Sequence, residues 1–227
     1  MRALRRFNEQ TKHGNPKTIT FTEHRTRFPS RVRDFAEFPL KSGENNKKLG
    51  RIITKGKWAG FPIYSLTLEE RATCPTSCKQ WSICYGNTMP FALRMRWSSA
   101  MEKSVSKQLM LLQRTYPRGF AIRLHVLGDF LSEEYAQWWI DQLKRFPALH
   151  IFGYTARDWS IIHDYAAAHF DRFAIRRSGS TDIRGAYVTR TEDSNGITCP
   201  AQTGKTDCCG TCTLCWATDK PINFLEH

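Results

Sequence analysis

The sequence predicts an α/β protein, built as a partial (β/α) barrel or an open parallel sheet. Three observations lead there. Short runs rich in apolar and β-branched residues alternate with stretches whose apolar residues recur at helical spacing, the pattern of parallel βαβ units. Four or five such units are present, too few for an eight-fold barrel. The chain has 227 residues, 41% of them hydrophobic, enough to enclose one sizeable core.

Taken in order, "FPIYSLTL" (61–68) reads as the first strand. Pro90 suits the first turn of a helix, and Met101, Val105, Leu109 and Leu112 extend it over about 90–114. "FAIRLHVLGD" (120–129) is a second strand ending in Gly128-Asp129. Ser132 caps the next helix, with Glu133 and Glu134 at its positive end and Tyr135, Trp138, Trp139 and Leu143 on its apolar side. "LHIFGYTAR" (149–157) is a third strand and "WSIIHDYAAAHF" (159–170) a third helix. "RFAIRRSGS" (172–180) and "GAYVTR" (185–190) complete the strands. Residues 1–57 read as a largely irregular segment, 58–190 as the (β/α) core and 191–227 as a cysteine-rich tail.

No run of 18 apolar residues exists, and the N-terminus lacks an apolar signal core. The expectation is a cytoplasmic protein with no membrane partner. Net charge is +13. Residues 1–57 hold fifteen Lys/Arg against five acids, or +10, which favours a nucleic acid or nucleotide-like partner. No P-loop, dinucleotide fingerprint or Ser-His-Asp constellation is present, and the sequence assigns no catalytic residue.

The eight cysteines fall in two groups. In a reducing compartment such clusters read as metal ligands. Cys209, Cys212 and Cys215 are spaced C-x2-C-x2-C, with Cys199-Pro200 upstream, a spacing that suits a [4Fe–4S] cluster. Cys208 is left over, or replaces Cys209. Four thiolates around one structural zinc are the alternative. Cys74, Cys78 and Cys84 form C-x3-C-x5-C, with no His within ten residues. Three thiolates on a cubane leave one iron open to an amine, a carboxylate or water. One or two iron–sulfur clusters are thus expected, together with an electron donor.

The strand ends carry the candidate binding groups. Asp129 suits an ammonium or caps its turn. Arg157, after Thr155, suits an anion or pairs with Asp158 or Asp164. Arg176 and Arg177 alternate, so one points inward and needs a counter-charge, for which Asp129 is the candidate. Ser178 follows them. His125 reads as a hydrogen-bonded core residue, and Trp138 and Trp139 as packing residues.

The three-cysteine loop after a first strand, the aromatic Tyr85 beside the last cysteine, and Gly128-Asp129 after the second strand resemble the radical S-adenosylmethionine superfamily. That resemblance implies S-adenosylmethionine at the open iron. Its spacing is C-x3-C-x2-C, and this chain has five residues in the second gap. More closely, "CPTSCKQWSICYGN", "LHVLGDFLSEEY", "GYTAR" and "CPAQTGKTDCCGTCTLCW" resemble the bacteriophage gene-product-88 family over about residues 45–217. That resemblance implies a phage or prophage origin and cysteine-bound metal, and no particular reaction. The expected function is an iron–sulfur protein with reductive or radical-SAM-like chemistry. The rival is a zinc-stabilised nucleic-acid-binding protein without catalysis.

Overall fold

The computed structural model describes residues 24–226, so residues 1–23 of the basic segment lie outside it. Its main sheet is open and eight-stranded. Side by side lie β2 (Lys41–Ser42), β3 (Ile63–Ser65), β5 (Phe120–Leu124), β6 (Leu149–Thr155), β7 (Phe173–Ser178), β8 (Gly185–Thr189), β10 (Ile222–Leu225) and β9 (Ile197–Thr198). Every neighbouring pair is parallel except β2 with β3. A separate parallel pair joins β1 (Val32–Arg33) to β4 (Arg94–Met95). All three sequence regions therefore place strands in the one sheet. No helix among the described residues is long and apolar enough to cross a membrane.

From β3 to β8 the strands follow chain order, wound in one direction, with the connecting helices on one face. These are α1 (Ser99–Thr115), α2 (Glu133–Arg145) and α3 (Ser160–Ala168). Their apolar residues, among them Val105, Leu109, Trp139 and Ile162, pack with Ile122, Leu124, Ile151 and Ile175 of the strands. Burying each such side chain contributes about 1.5–3 kcal/mol. Side chains alternate along a strand, so Ala121, Phe152 and Ala174 point to the opposite face. There Leu49, Ile53 and Trp58 from before β3, and Cys209 and Trp216 from the tail, cover them.

Ser132 caps α2 as its sequence predicts, accepting from Tyr135 N at 3.2 Å. The first helix departs from expectation. It starts at Ser99, capped by Ser98, which accepts from Met101 N at 3.2 Å. The residues after Pro90 instead form β4, because Val32–Arg33 offers a strand edge that outcompetes an early helical turn. The second strand also ends sooner than expected, at Leu124, and Gly128-Asp129 lies in the loop beyond it.

Candidate functional site: a cysteine-lined cavity on the inner face

The face of the sheet away from the helices forms a row across its carboxyl ends. Register pairs Arg123 with Phe152, Tyr154 with Arg176, Ser178 with Ala186 and Val188 with Phe224. A cavity of about 290 Å³ opens on this row. Cys74, Cys78 and Cys84 line it from one side, and Cys199, Cys209 and Cys215 from the other. Cys212 does not reach it, but joins Cys199, Cys209 and Cys215 around a smaller void beside Trp216. All eight cysteines are free thiols. Among the described residues, no group of three or more His, Cys, Asp or Glu is arranged to hold a metal ion.

Each cysteine group is held by backbone under unusual constraint. Arg71, just before the first group, has φ +64°, and Thr213, between Cys212 and Cys215, has φ +70°. A left-handed conformation at a β-branched residue costs roughly 1–2 kcal/mol, and tertiary contacts must enforce it. Thr213 separates two single-turn helices, α4 (Cys209–Cys212) and α5 (Leu214–Ala217). Gly128 has φ +83°, and a Cβ there would stand 2.7 Å from Thr73 Oγ1 and 2.8 Å from Leu68 Cβ. Only glycine lets the loop after β5 press against the strand that leads into the first cysteine group.

Burial pushes the thiols of Cys74, Cys78, Cys84, Cys209 and Cys215 up. The first cause for Cys74 is desolvation, joined by the Asp129 carboxylate. Cys84 rises to about 11 and Cys209 to about 12, both chiefly through burial. Cys78 and Cys215 rise for the same reason. Opposing this, backbone hydrogen bonds at Arg71, Gln80 and Gly86 favour the thiolates of Cys74, Cys78 and Cys84. Tyr154 Oη donates to Cys215 Sγ at 2.8 Å.

Cys208 and Cys209 separate clearly. Cys209 lines the cavity, whereas Cys208 caps α4 and packs on Gly50, where a Cβ would stand 2.5 Å from its sulfur.

Of the other sequence candidates, Tyr85, Gly128, Asp129 and Ser178 line the cavity. The Tyr85 hydroxyl donates to the Val126 carbonyl. Asp129 is 4% exposed and accepts from Thr155 Oγ1 at 2.6 Å, Phe130 N at 2.7 Å and Ala156 N at 2.8 Å. Burial outweighs these bonds and lifts its carboxyl to about 6. Thr155 thus serves the site by orienting Asp129.

Arg157 neither pairs with a neighbouring acid nor faces the cavity. It donates to Phe130 O at 2.9 Å and Thr73 O at 2.7 Å, tying the residue before Cys74 to the loop after β5. Asp158 pairs instead with the outward Arg177, at 2.8 Å.

Arg176 is the inward arginine, but Asp129 is not its partner. Its guanidinium donates to the carbonyls of Cys215 at 2.8 Å, Lys220 at 2.9 Å, Gly185 and Leu214 at 3.3 Å, and Thr218. The carbonyl ends of α5 carry partial negative charge, so backbone supplies the counter-charge that a carboxylate was expected to give.

His125 is buried and hydrogen-bonded as expected, 4% exposed with Nε2 2.8 Å from Tyr135 Oη, but it also lines the cavity, and its Nδ1 has no hydrogen-bond partner among the described residues. Burial, then Arg123, lowers its pKa to about 3.

The chain matches no protein-family model, no curated protein and no solved structure.

Two parts of the site escaped sequence reasoning. The first is a buried charged scaffold beneath the first cysteine group. Arg94 Nε bonds Glu70 Oε2 at 2.7 Å, and Arg94 Nη2 reaches Gly86 O at 3.1 Å, just past Cys84. Thr26 Oγ1 adds 2.6 Å to Glu70. The second is Arg123, on the inner row between the two cysteine groups. Its signal was a lone charge in "FAIRL", on the same side of the strand as Ala121.

Proposed function

We propose that the protein carries iron–sulfur clusters at its two cysteine groups and performs reductive or radical-SAM-like chemistry in the cavity between them. One observation carries this reading: thiols more than a hundred residues apart in sequence line one cavity, at the carboxyl ends of a one-way parallel sheet. That edge is where such folds gather reacting groups. The donor set fits. A single zinc needs its sulfurs within about 2.3 Å of one point. Thiols spread around a cavity suit a larger, multi-atom cluster better. Burial favours the thiol form of Cys74, Cys78, Cys84, Cys209 and Cys215, and metal coordination would deprotonate them outright. The motif resemblance to the bacteriophage gene-product-88 family points the same way, to cysteine-bound metal.

A bound cluster supplies single-electron transfer. The chain's own residues do the rest. Backbone N–H groups and Tyr154 Oη hydrogen-bond the sulfurs, an interaction that tunes cluster potential. Arg157 and Arg176 lock the two cysteine-bearing segments onto the sheet. Asp129, its carboxyl raised to about 6 by burial, is the titratable group of the cavity wall that would exchange a proton beside the ligand. The open position left by three cysteines would take an amine-and-carboxylate chelate, for which S-adenosylmethionine is the test molecule.

Protein expressed and purified anaerobically should be brown, absorb near ~400 nm and contain iron and sulfide. Serine at Cys74, Cys78 and Cys84 should remove one cluster, and serine at Cys199, Cys209, Cys212 and Cys215 the other. S-adenosylmethionine should change the EPR spectrum of the reduced protein only while the first group is intact. Colourless protein holding zinc after anaerobic expression with iron refutes the reading.

A further inference from the structure

The fully buried guanidinia of Arg94 and Arg176 are saturated, one by Glu70 and carbonyls, the other by five carbonyls. Arg123 is different. Among the described residues no hydrogen bond or ion pair reaches its side chain, and its Nε is buried without a partner. It stacks on Tyr154, 4.3 Å from the ring centroid, and lies 5.8 Å from Phe152. Stacking fixes the plane of the guanidinium while leaving its hydrogen-bonding edge unused. Arg71 also has unbonded nitrogens, but it does not line the cavity.

Arg123 is half-buried, with its Nε out of reach of water and no carboxylate paired to it among the described residues, and a cation so placed favours an anion beside it. The surroundings define which kind. Lys48 adds a second positive charge to the cavity wall, which also carries the carboxyls of Asp129 and Glu226, while Leu127, Val188 and Phe224 make much of the lining apolar. A planar guanidinium edge matches the two oxygens of a carboxylate or phosphate. The volume, about 290 Å³, has room for about ten waters, hence a small molecule and not a polymer segment.

We infer that Arg123 binds the carboxylate or phosphate of a small, otherwise apolar molecule held between the two cysteine groups. This names the ligand class for the cavity and rests on the reading that the cavity is the working site. Metal content is measured separately, so failure of one reading does not hide failure of the other.

The test uses benzoate, phenyl phosphate and the neutral isostere benzamide, titrated calorimetrically into anaerobically purified protein of known iron and zinc content. Benzoate or phenyl phosphate should bind at least tenfold more tightly than benzamide. Whichever of the two binds better distinguishes a carboxylate from a phosphate ligand. Arg123→Gln should remove the preference and leave benzamide unchanged, and Arg123→Lys should keep part of it. Thermal melting of both variants confirms that they fold. Equal binding of benzoate, phenyl phosphate and benzamide, no binding of either anion at millimolar concentration, or an unchanged preference in folded Arg123→Gln overturns the inference. Arg123→Gln that loses iron, in a protein whose wild type takes neither anion, overturns it too, by assigning the guanidinium to the metal centre.

Discussion

Replacing Arg176 with Met removes a guanidinium that is completely buried and holds five backbone carbonyls of the C-terminal region and the β8 start. Methionine fills much of the volume, so the loss is mainly polar. A hydrogen bond to a charged group contributes about 1.5–3 kcal/mol, and each carbonyl left buried costs about 1–3 kcal/mol. Two of the contacts are long, at 3.3 Å, and water can reach some carbonyls once the segment loosens. The expected destabilisation is therefore about 4 kcal/mol, within the range for breaking a buried charged network. At this chain length each kcal/mol shifts Tm by roughly 2–4 °C, so Tm should fall by roughly 8–16 °C. The loss is local. Cys199, Cys209, Cys212 and Cys215 should alkylate faster in timed labelling read by mass spectrometry, while Cys74, Cys78 and Cys84 keep their wild-type rates. A fall of under 3 °C, or equal acceleration of both cysteine groups, would refute the assignment of Arg176 as the clamp of the tail.

Arg157→Lys should do the converse. A lysine cannot reach both Phe130 O and Thr73 O, so about 1–2 kcal/mol is lost and the first cysteine group alone should label faster. In metal-free protein, Asp129 and His125 should give opposite pH slopes. The raised Asp129 pKa contributes stability that is full below about 4 and lost as pH rises through about 6. The depressed His125 pKa contributes stability present above about 6.5 and lost as pH falls toward about 3. Denaturant titrations from pH 4 to 6 should thus be nearly flat for the wild type, rise with pH for Asp129→Asn, and fall with pH for His125→Gln. Parallel curves for all three proteins would contradict these environments. If the basic segment binds nucleic acid, DNA affinity should drop steeply between 50 and 200 mM salt, about 10³-fold or more for six phosphate contacts, as read by fluorescence anisotropy.

Local chemistry made the (β/α) core readable. Alternation in "FAIRL" and "LHIFGYT", the Ser132 cap and the Trp139 face are each decided within a few residues, and each appears where expected. What was not readable depends on partners far along the chain. β4 exists because Val32–Arg33 lies beside it, and no property of "LRMRW" says so. One of Arg176 and Arg177 was read as inward and its partner was sought among carboxylates; Arg176 is the inward one. The true acceptors are backbone carbonyls, Gly185 at the start of β8 and four within residues 214–220, and backbone groups leave no trace in composition. The convergence of the two cysteine groups was likewise beyond spacing rules, which can group thiols within a loop but not across a sheet.

The winding of the sheet explains why the site lies where it does. In a doubly wound sheet both faces are covered by helices, and ligands are confined to a crevice at the strand-order reversal. Here α1, α2 and α3 all pack on one face, leaving the inner row from Arg123 to Phe224 to be covered by irregular chain. Irregular chain covers only part of it. Toward the amino ends Trp58 and Trp216 stack 5.2 Å apart and close the core against Phe152. Toward the carboxyl ends the cover is the two cysteine-bearing segments themselves, and between them the cavity remains. Arg157 and Arg176 pin these segments through backbone carbonyls, contacts that do not depend on the identity of the residues carrying them.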